Sequence, residues 1–187
     1  MIRSLLDWLG NTPWSIALLE SYYVWPLIES THVVFLALFV GTAFMMDLRL
    51  VGLAFRDVPA SSFIDRLLPW TRIGFAIMVM TGLLLFYSSP LRYYHNLFFR
   101  IKCVMLAVAG LNIWMFHSRI HTSIDLWDDV WTPPRAARIA GAVSIVMWTG
   151  VVFSGRLIAY NWFDCDIQPQ PEWVNWVAQC QIEDLAQ

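Results

Sequence analysis

Four histidines are the residues of this chain best equipped for chemistry: His32, His95, His117 and His121. An imidazole works near neutral pH as a metal ligand, a proton carrier or a hydrogen-bonding anchor. His117 and His121 are four residues apart and so share one helix face. Around them stand a single lysine, Lys102, and arginines at Arg92, Arg100 and Arg156. No nucleophile elbow, phosphate-binding glycine loop, dinucleotide fingerprint or zinc-ligand spacing is present, so hydrolytic and phosphoryl-transfer chemistry has no support.

The elements that must position these groups follow from composition. Of 187 residues, 58% are apolar and 14% charged, against roughly 25% charged in ordinary soluble domains. A soluble fold of this size would have too few ionic side chains to cover its surface. A net charge of −2 excludes a basic nucleic-acid binder. Four apolar stretches are long enough to cross a bilayer: about 27–46, 73–87 with an approach at 67–70, 97–116 and 139–160. Backbone groups inside hydrocarbon must be paired within the segment, so these stretches are expected to be helices. The expected fold is all-α, an integral membrane four-helix bundle spanning 1–160. Residues 1–24 form an interfacial helix in this reading, with Thr12 as N-cap and Pro13 at the first helical position. Pro26 is expected to kink the entry to the first span. Residues 161–187 form an extracytoplasmic tail whose Trp-rich segment from Pro171 lies on a membrane or a partner.

Charge and cysteine placement orient the bundle. Arg49, Arg56, Arg66, Arg72, Arg119, Arg135 and Arg138 fall on one side, while Arg3, Arg92, Arg100, Lys102 and Arg156 fall on the other. The positive-inside rule then puts the first set in the cytoplasm and both termini on the periplasmic side of a bacterial inner membrane. Cys165 and Cys180 would face an oxidising compartment where a disulfide persists.

Depth limits what the histidines can do together. Haem b held between membrane helices takes two imidazoles from different helices at matching height. His32 lies about one turn inside the first span and His95 at the outer start of the third. His117 follows His95 by 22 residues, about 33 Å along a helix, and cannot share a cofactor with His32. One haem b near the outer face, ligated by His32 and His95, is the expected site. Arg92, Arg100, Lys102 and Arg156 would meet its propionates. Gly41, Ala43, Gly74, Gly110 and Gly141 would let helices approach or leave room for a flat macrocycle. Copper is an alternative, with His32, Met45, Met46, Met78 and Met80 as soft ligands. Asp47 and Arg49 read as a boundary lock, pairing with each other or with Arg72. Asp125, Asp128 and Asp129 read as a solvated face.

The segment ESTHVVFLALFVGTAFMMDLRLVG places a first-span histidine, then a small residue, then a D-x-R-L-x-G exit. It resembles small four-helix bacterial inner-membrane proteins of the cytochrome-b-like and copper-resistance-D-like type, most closely over 27–53 and more loosely to about 160. The resemblance implies haem b bound through histidines on the first and third helices, and electron transfer. It carries to His32 and then to His95. Respiratory cytochromes b place two histidines on each of two helices, and this chain departs from that with one in the first span. Three functions follow as expectations: a haem-b electron-transfer subunit serving an outer redox partner and a quinone or another membrane subunit, a cofactor-free anchor and assembly subunit of a larger complex, or a copper-handling membrane protein.

Overall fold

A computed structural model describes residues 1–120, 124, 127, 128, 132–160, 162, 163, 165, 167 and 169–180, with the backbone alone for 119 and 120. His121, Asp125 and Asp129 fall outside the described residues. The described fold is all helical. Two short helices, α1 (Ile2–Gly10) and α2 (Pro13–Leu19), precede the long α3 (Val24–Val51) and α4 (Ala60–Ser88). A one-and-a-half-turn α5 (Pro90–His95) leads into α6 (Leu97–Met115), α7 (Arg135–Leu157) and a final α8 (Glu172–Ala178). Four helices are long and apolar enough to cross a membrane: α3, α4, α7, and α6 with its π-helical extension Phe116–Ile120. The four-span reading holds.

The spans are longer than the apolar stretches, because helix continues past the hydrocarbon boundary wherever caps allow. α4 begins thirteen residues before Ile73 and runs through Pro69. Its first turn is secured by Asp128, whose carboxylate accepts from Ser61 N at 2.7 Å and Ser61 Oγ at 2.6 Å. Asp128 is therefore a helix-capping group and not part of a solvated face. Pro26 falls in the first turn of α3, where its missing N–H has no helical partner to lose, so it starts the helix where a kink was expected. The interfacial start is two helices, broken at Asn11, with Thr12 capping α2 as expected.

α3 and α7 are the central pair, with α4 packed on α3 and α6 on α7. Close crossings explain two glycines. A Cβ at Gly74 would sit 3.0 Å from Phe39 N, and one at Gly141 would sit 2.9 Å from the Asp47 carbonyl oxygen. Gly41 and Gly110 have open space around them and serve no close helix crossing. The middle of the bundle is an apolar plug of Phe39, Met78, Ala109, Trp148 and Val151. Polar cross-links flank it: Thr71 Oγ1 donates to Thr42 Oγ1 at 2.8 Å, and Asn112 Nδ2 donates to the Ala140 carbonyl at 2.9 Å.

The two bundle ends differ. The end carrying the α3–α4 connection, called the loop end here, is locked by Arg49. Its guanidinium is fully buried and donates to the carbonyls of Val58 (2.9 Å) and Asp128 (3.2 Å). The expected Asp47–Arg49 or Asp47–Arg72 pair does not form among the described residues. Asp47 instead faces Ser144 of α7, because successive helical positions two apart point to different sides. The opposite end, the terminal end, carries α1, α2, α5 and α8. There Ser15 Oγ donates to the Tyr87 and Ser88 carbonyls, closing the C-terminus of α4.

Candidate functional site

Each of the four spans contributes to one layer below the terminal end. His32 lies eight residues into α3, about 12 Å along the axis, and Thr81 lies seven residues before the end of α4, about 10 Å. Lys102 lies five residues into α6, about 7 Å, and Gly155 lies in the last turn of α7. His32 Nδ1 and Thr81 Oγ1 are 3.0 Å apart. A Cβ at Gly82 would stand 3.2 Å from His32 Cε1, so this glycine clears the space for the imidazole edge. A Cβ at Gly155 would stand 3.5 Å from Lys102 Nζ. The half-buried Lys102 lies close enough to His32 for its charge to act on the ring.

The hydrogen bonds fix the His32 tautomer. A threonine hydroxyl has one proton, and that of Thr81 is directed at carbonyls of its own helix, Ile77 at 2.7 Å and Met78 at 3.1 Å. With that proton so used, its oxygen accepts from the Nδ1–H tautomer of His32, the one whose Nε2 carries the free lone pair. A metal-ligating histidine is held in this way, one ring nitrogen anchored by an oxygen and the other free to coordinate.

Aromatic rings close the layer from the terminal side. Phe86 of α4, Tyr93 of α5 and Phe99 of α6 form a triad with centroid separations of 6.2, 5.5 and 5.4 Å. Burial pushes the Tyr93 phenol above its ordinary pKa, with Arg92 opposing and Glu29 adding to the rise. The apolar plug lies on the other side. His32, Thr81 and Lys102 thus occupy a polar band between the aromatic triad and the apolar plug.

His95 belongs to a second group. It ends α5 and precedes α6, whose N-cap is Asn96, accepting from Phe99 N at 3.1 Å. It was expected one turn from His32 in height. His32 lies more than two turns into α3, which starts at Val24. His95 Nδ1 lies 3.0 Å from the Ala178 carbonyl of α8, which only accepts, so Nδ1 carries a proton and donates it there. Arg100 joins it there. Its Nε donates to the Tyr94 carbonyl at 2.9 Å and its Nη1 to the Val177 carbonyl at 2.6 Å, while its guanidinium stacks on the Tyr94 ring at 4.6 Å. Tyr94 in turn donates its hydroxyl to Gln179 Oε1 at 2.6 Å.

The six residues singled out from the sequence are therefore divided. His32 and Lys102 share the buried layer, and His95 and Arg100 are gathered under α8. Arg92 is exposed on α5, and Arg156 is exposed at the end of α7, 5.1 Å from the Tyr160 ring centroid. No hydrogen bond joins His32 to His95. Thr81 and Gly82, which set the ring of His32, carried no signal in the sequence beyond a Thr-Gly pair in an apolar run. The methionines considered for copper are dispersed: Met78 is in the plug, Met46 packs at the loop end, and Met45 and Met80 are exposed. No group of three or more His, Cys, Asp or Glu that could hold a metal ion is found among the described residues. His117 is exposed in the π-helical turn after α6. Cys103 is an exposed free thiol, and Cys165 is joined to Cys180.

The family model described as "Family of unknown function (DUF6644)" matches residues 14–161, most of the chain and all four spans. The chain belongs to this family. The DUF6644 match begins inside the α2 segment and ends just past α7, so it contains both histidine groups but stops short of α8. No curated protein and no solved structure matches the chain.

Proposed function

We propose that this DUF6644 protein is a haem-b-binding electron-transfer subunit of the bacterial inner membrane, in keeping with its resemblance to the cytochrome-b-like and copper-resistance-D-like class. The observation that carries this reading is the state of the two imidazoles. His32 and His95 each set Nδ1 against an oxygen acceptor, which would leave Nε2 of the neutral ring as the donor a haem iron requires. Haem b, when bound, supplies a one-electron couple.

The chain's own residues do the rest. His32 would be held in orientation by Thr81, and Gly82 leaves its ring edge unobstructed. His95 would serve as the second ligand, from the rim. Lys102 has no carboxylate partner among the described residues and would neutralise a propionate, together with Arg92 and Arg156. Arg100 is committed to carbonyls of α8 and Tyr94 and is assigned to holding the rim. The plug of Phe39, Met78, Trp148 and Val151 excludes water from the layer and keeps its dielectric low.

Sidedness follows from the arginine-rich loop end and the disulfide. Both support a cytoplasmic loop end and a periplasmic terminal end. Electrons would pass between a periplasmic redox partner and a quinone or another membrane subunit. The test is the haem content of detergent-purified protein, with about one haem b per chain expected and none contradicting the reading.

One observation favours a second reading. Trp14, Trp173 and Trp176 of the terminal end are 80%, 58% and 81% exposed. Such rings suit a lipid headgroup layer or a protein partner, as an anchor or assembly subunit would need. Colourless protein that co-purifies with other subunits is the outcome that selects it.

A further inference from the structure

The contact that anchors His95 belongs to a larger device at the terminal end, whose other parts the haem reading does not use. α8 has only seven residues, too few for a helix to persist in water unaided. Val174 and Ala178 are its buried apolar residues, and its hydrogen bonds to the bundle come from its last turn and the residue after it. The Val177 carbonyl accepts from Arg100, the Ala178 carbonyl from His95, and Gln179 Oε1 from Tyr94. Gln179 itself is held in the left-handed region, at φ 58° and ψ 42°, a conformation side-chain-bearing residues seldom adopt. The next residue is Cys180, whose bond to Cys165 closes a separation of 15 residues. Beyond α8 the chain therefore turns sharply between a tyrosine anchor and a covalent one. Both cysteines are half-buried, within reach of a small reagent.

We propose that α8 and the Cys165–Cys180 bond form a thiol-sensitive clasp that holds His95 and Arg100, and that a dithiol reductant opens it. One thiolate of the reductant attacks the protein disulfide and forms a mixed disulfide while one cysteine leaves as thiolate. The second thiol of the reductant then displaces the other cysteine and departs as the oxidised, cyclic or paired disulfide. Two electrons pass to the protein, and the two protons of the dithiol end on Cys165 and Cys180. With the covalent anchor gone, Gln179 relaxes from its left-handed turn, and the carbonyls of Val177 and Ala178 leave Arg100 and His95. His32, hydrogen-bonded inside the bundle to Thr81, is not part of the clasp. Opening therefore changes one histidine and spares the other.

The test uses the full chain in detergent, treated with dithiothreitol or left oxidised. Hydrogen exchange is read at backbone amides and at the C2–H of each histidine by mass spectrometry. Reduction is expected to speed amide exchange across 172–180 by at least tenfold and to change the C2–H exchange of His95, with His32 unchanged. The C165S/C180S double variant is expected to show the open pattern with or without reductant, and re-oxidation of the wild type to restore the closed one. Unchanged exchange at 172–180 and His95 after complete reduction would overturn the clasp. So would parallel changes at His32, which would mean that the bond holds the whole bundle. The amide readout at 172–180 involves no proposed haem ligand and is made on haem-free protein as well, so failure there leaves the haem reading standing, and absence of haem leaves the clasp standing.

Discussion

His32 donates its Nδ1 proton to Thr81 Oγ1 across 3.0 Å, from one membrane-spanning helix to its neighbour. The direction of this bond is dictated by the hydroxyl proton of Thr81, which is already committed to the Ile77 carbonyl. The consequence is an imidazole inside the bundle with its second nitrogen ready to coordinate.

Replacing Thr81 by Val keeps the shape and removes the acceptor. An unsatisfied buried donor costs about 1–3 kcal/mol, and the His32 tautomer is no longer held. Thr81→Val is expected to retain haem with a shifted midpoint potential and lowered thermal stability, measured by redox titration and by melting in detergent. Thr81→Ser is expected to restore both.

Gly82→Ala tests the space beside the ring. The new methyl would stand 3.2 Å from His32 Cε1, so the imidazole must move by a few tenths of an ångström. A weaker or spectrally shifted haem is expected, read from the absorption spectrum after titration with haemin. Gly110→Ala, where nothing lies within 4 Å, should leave the spectrum unchanged.

Gly141→Ala tests the central crossing of α3 and α7. A Cβ there would lie 2.9 Å from the Asp47 carbonyl oxygen, which belongs to rigid helix backbone. Overpacking of this kind costs about 1–3 kcal/mol, so a clearly lowered melting temperature is expected. Gly41→Ala, in open space, is expected to melt like the wild type.

How much of this was legible beforehand depends on the range of the interactions. Four spans follow from uninterrupted apolar length, a property of neighbouring residues. So does the Thr12–Pro13 start of α2, whose cap is made three residues away. α4 was read as starting near Ile73 because its true N-terminus is secured by Asp128, 67 residues from Ser61. Pro26 was read as a kink because Tyr23, the N-cap of α3, is not a capping residue type, and the Val24 amide is met instead by Ser21 Oγ, three residues back. The deeper placement of His32 follows from that same early start. Arg100 looked like a propionate partner, since its charge and side were visible but its carbonyl partners in α8, 77 residues on, were not. The Asp47–Arg49 pair failed because adjacency in sequence is not adjacency on a helix. Gly41, Gly74, Gly110 and Gly141 were recognised as a group, yet only the packed structure separates Gly74 and Gly141, which helix backbone approaches closely, from Gly41 and Gly110, which nothing does.

Sidedness has its own test. A reporter enzyme that folds only in the periplasm, fused after residue 187, should be active, and the same reporter inserted in the α3–α4 connection should be inactive. The reverse pattern would contradict both the arginine asymmetry and the persistence of the Cys165–Cys180 bond in that compartment.

The most direct measurement is the dithionite-reduced minus oxidised absorption spectrum of detergent-purified wild type beside His32→Ala. Wild type is expected to show a Soret shift and the sharp visible bands of a six-coordinate haem b. His32→Ala is expected to lose them while still folding with wild-type helix content. A featureless wild-type spectrum after supplementation with haemin, or full retention of the bands in His32→Ala, would contradict ligation by His32.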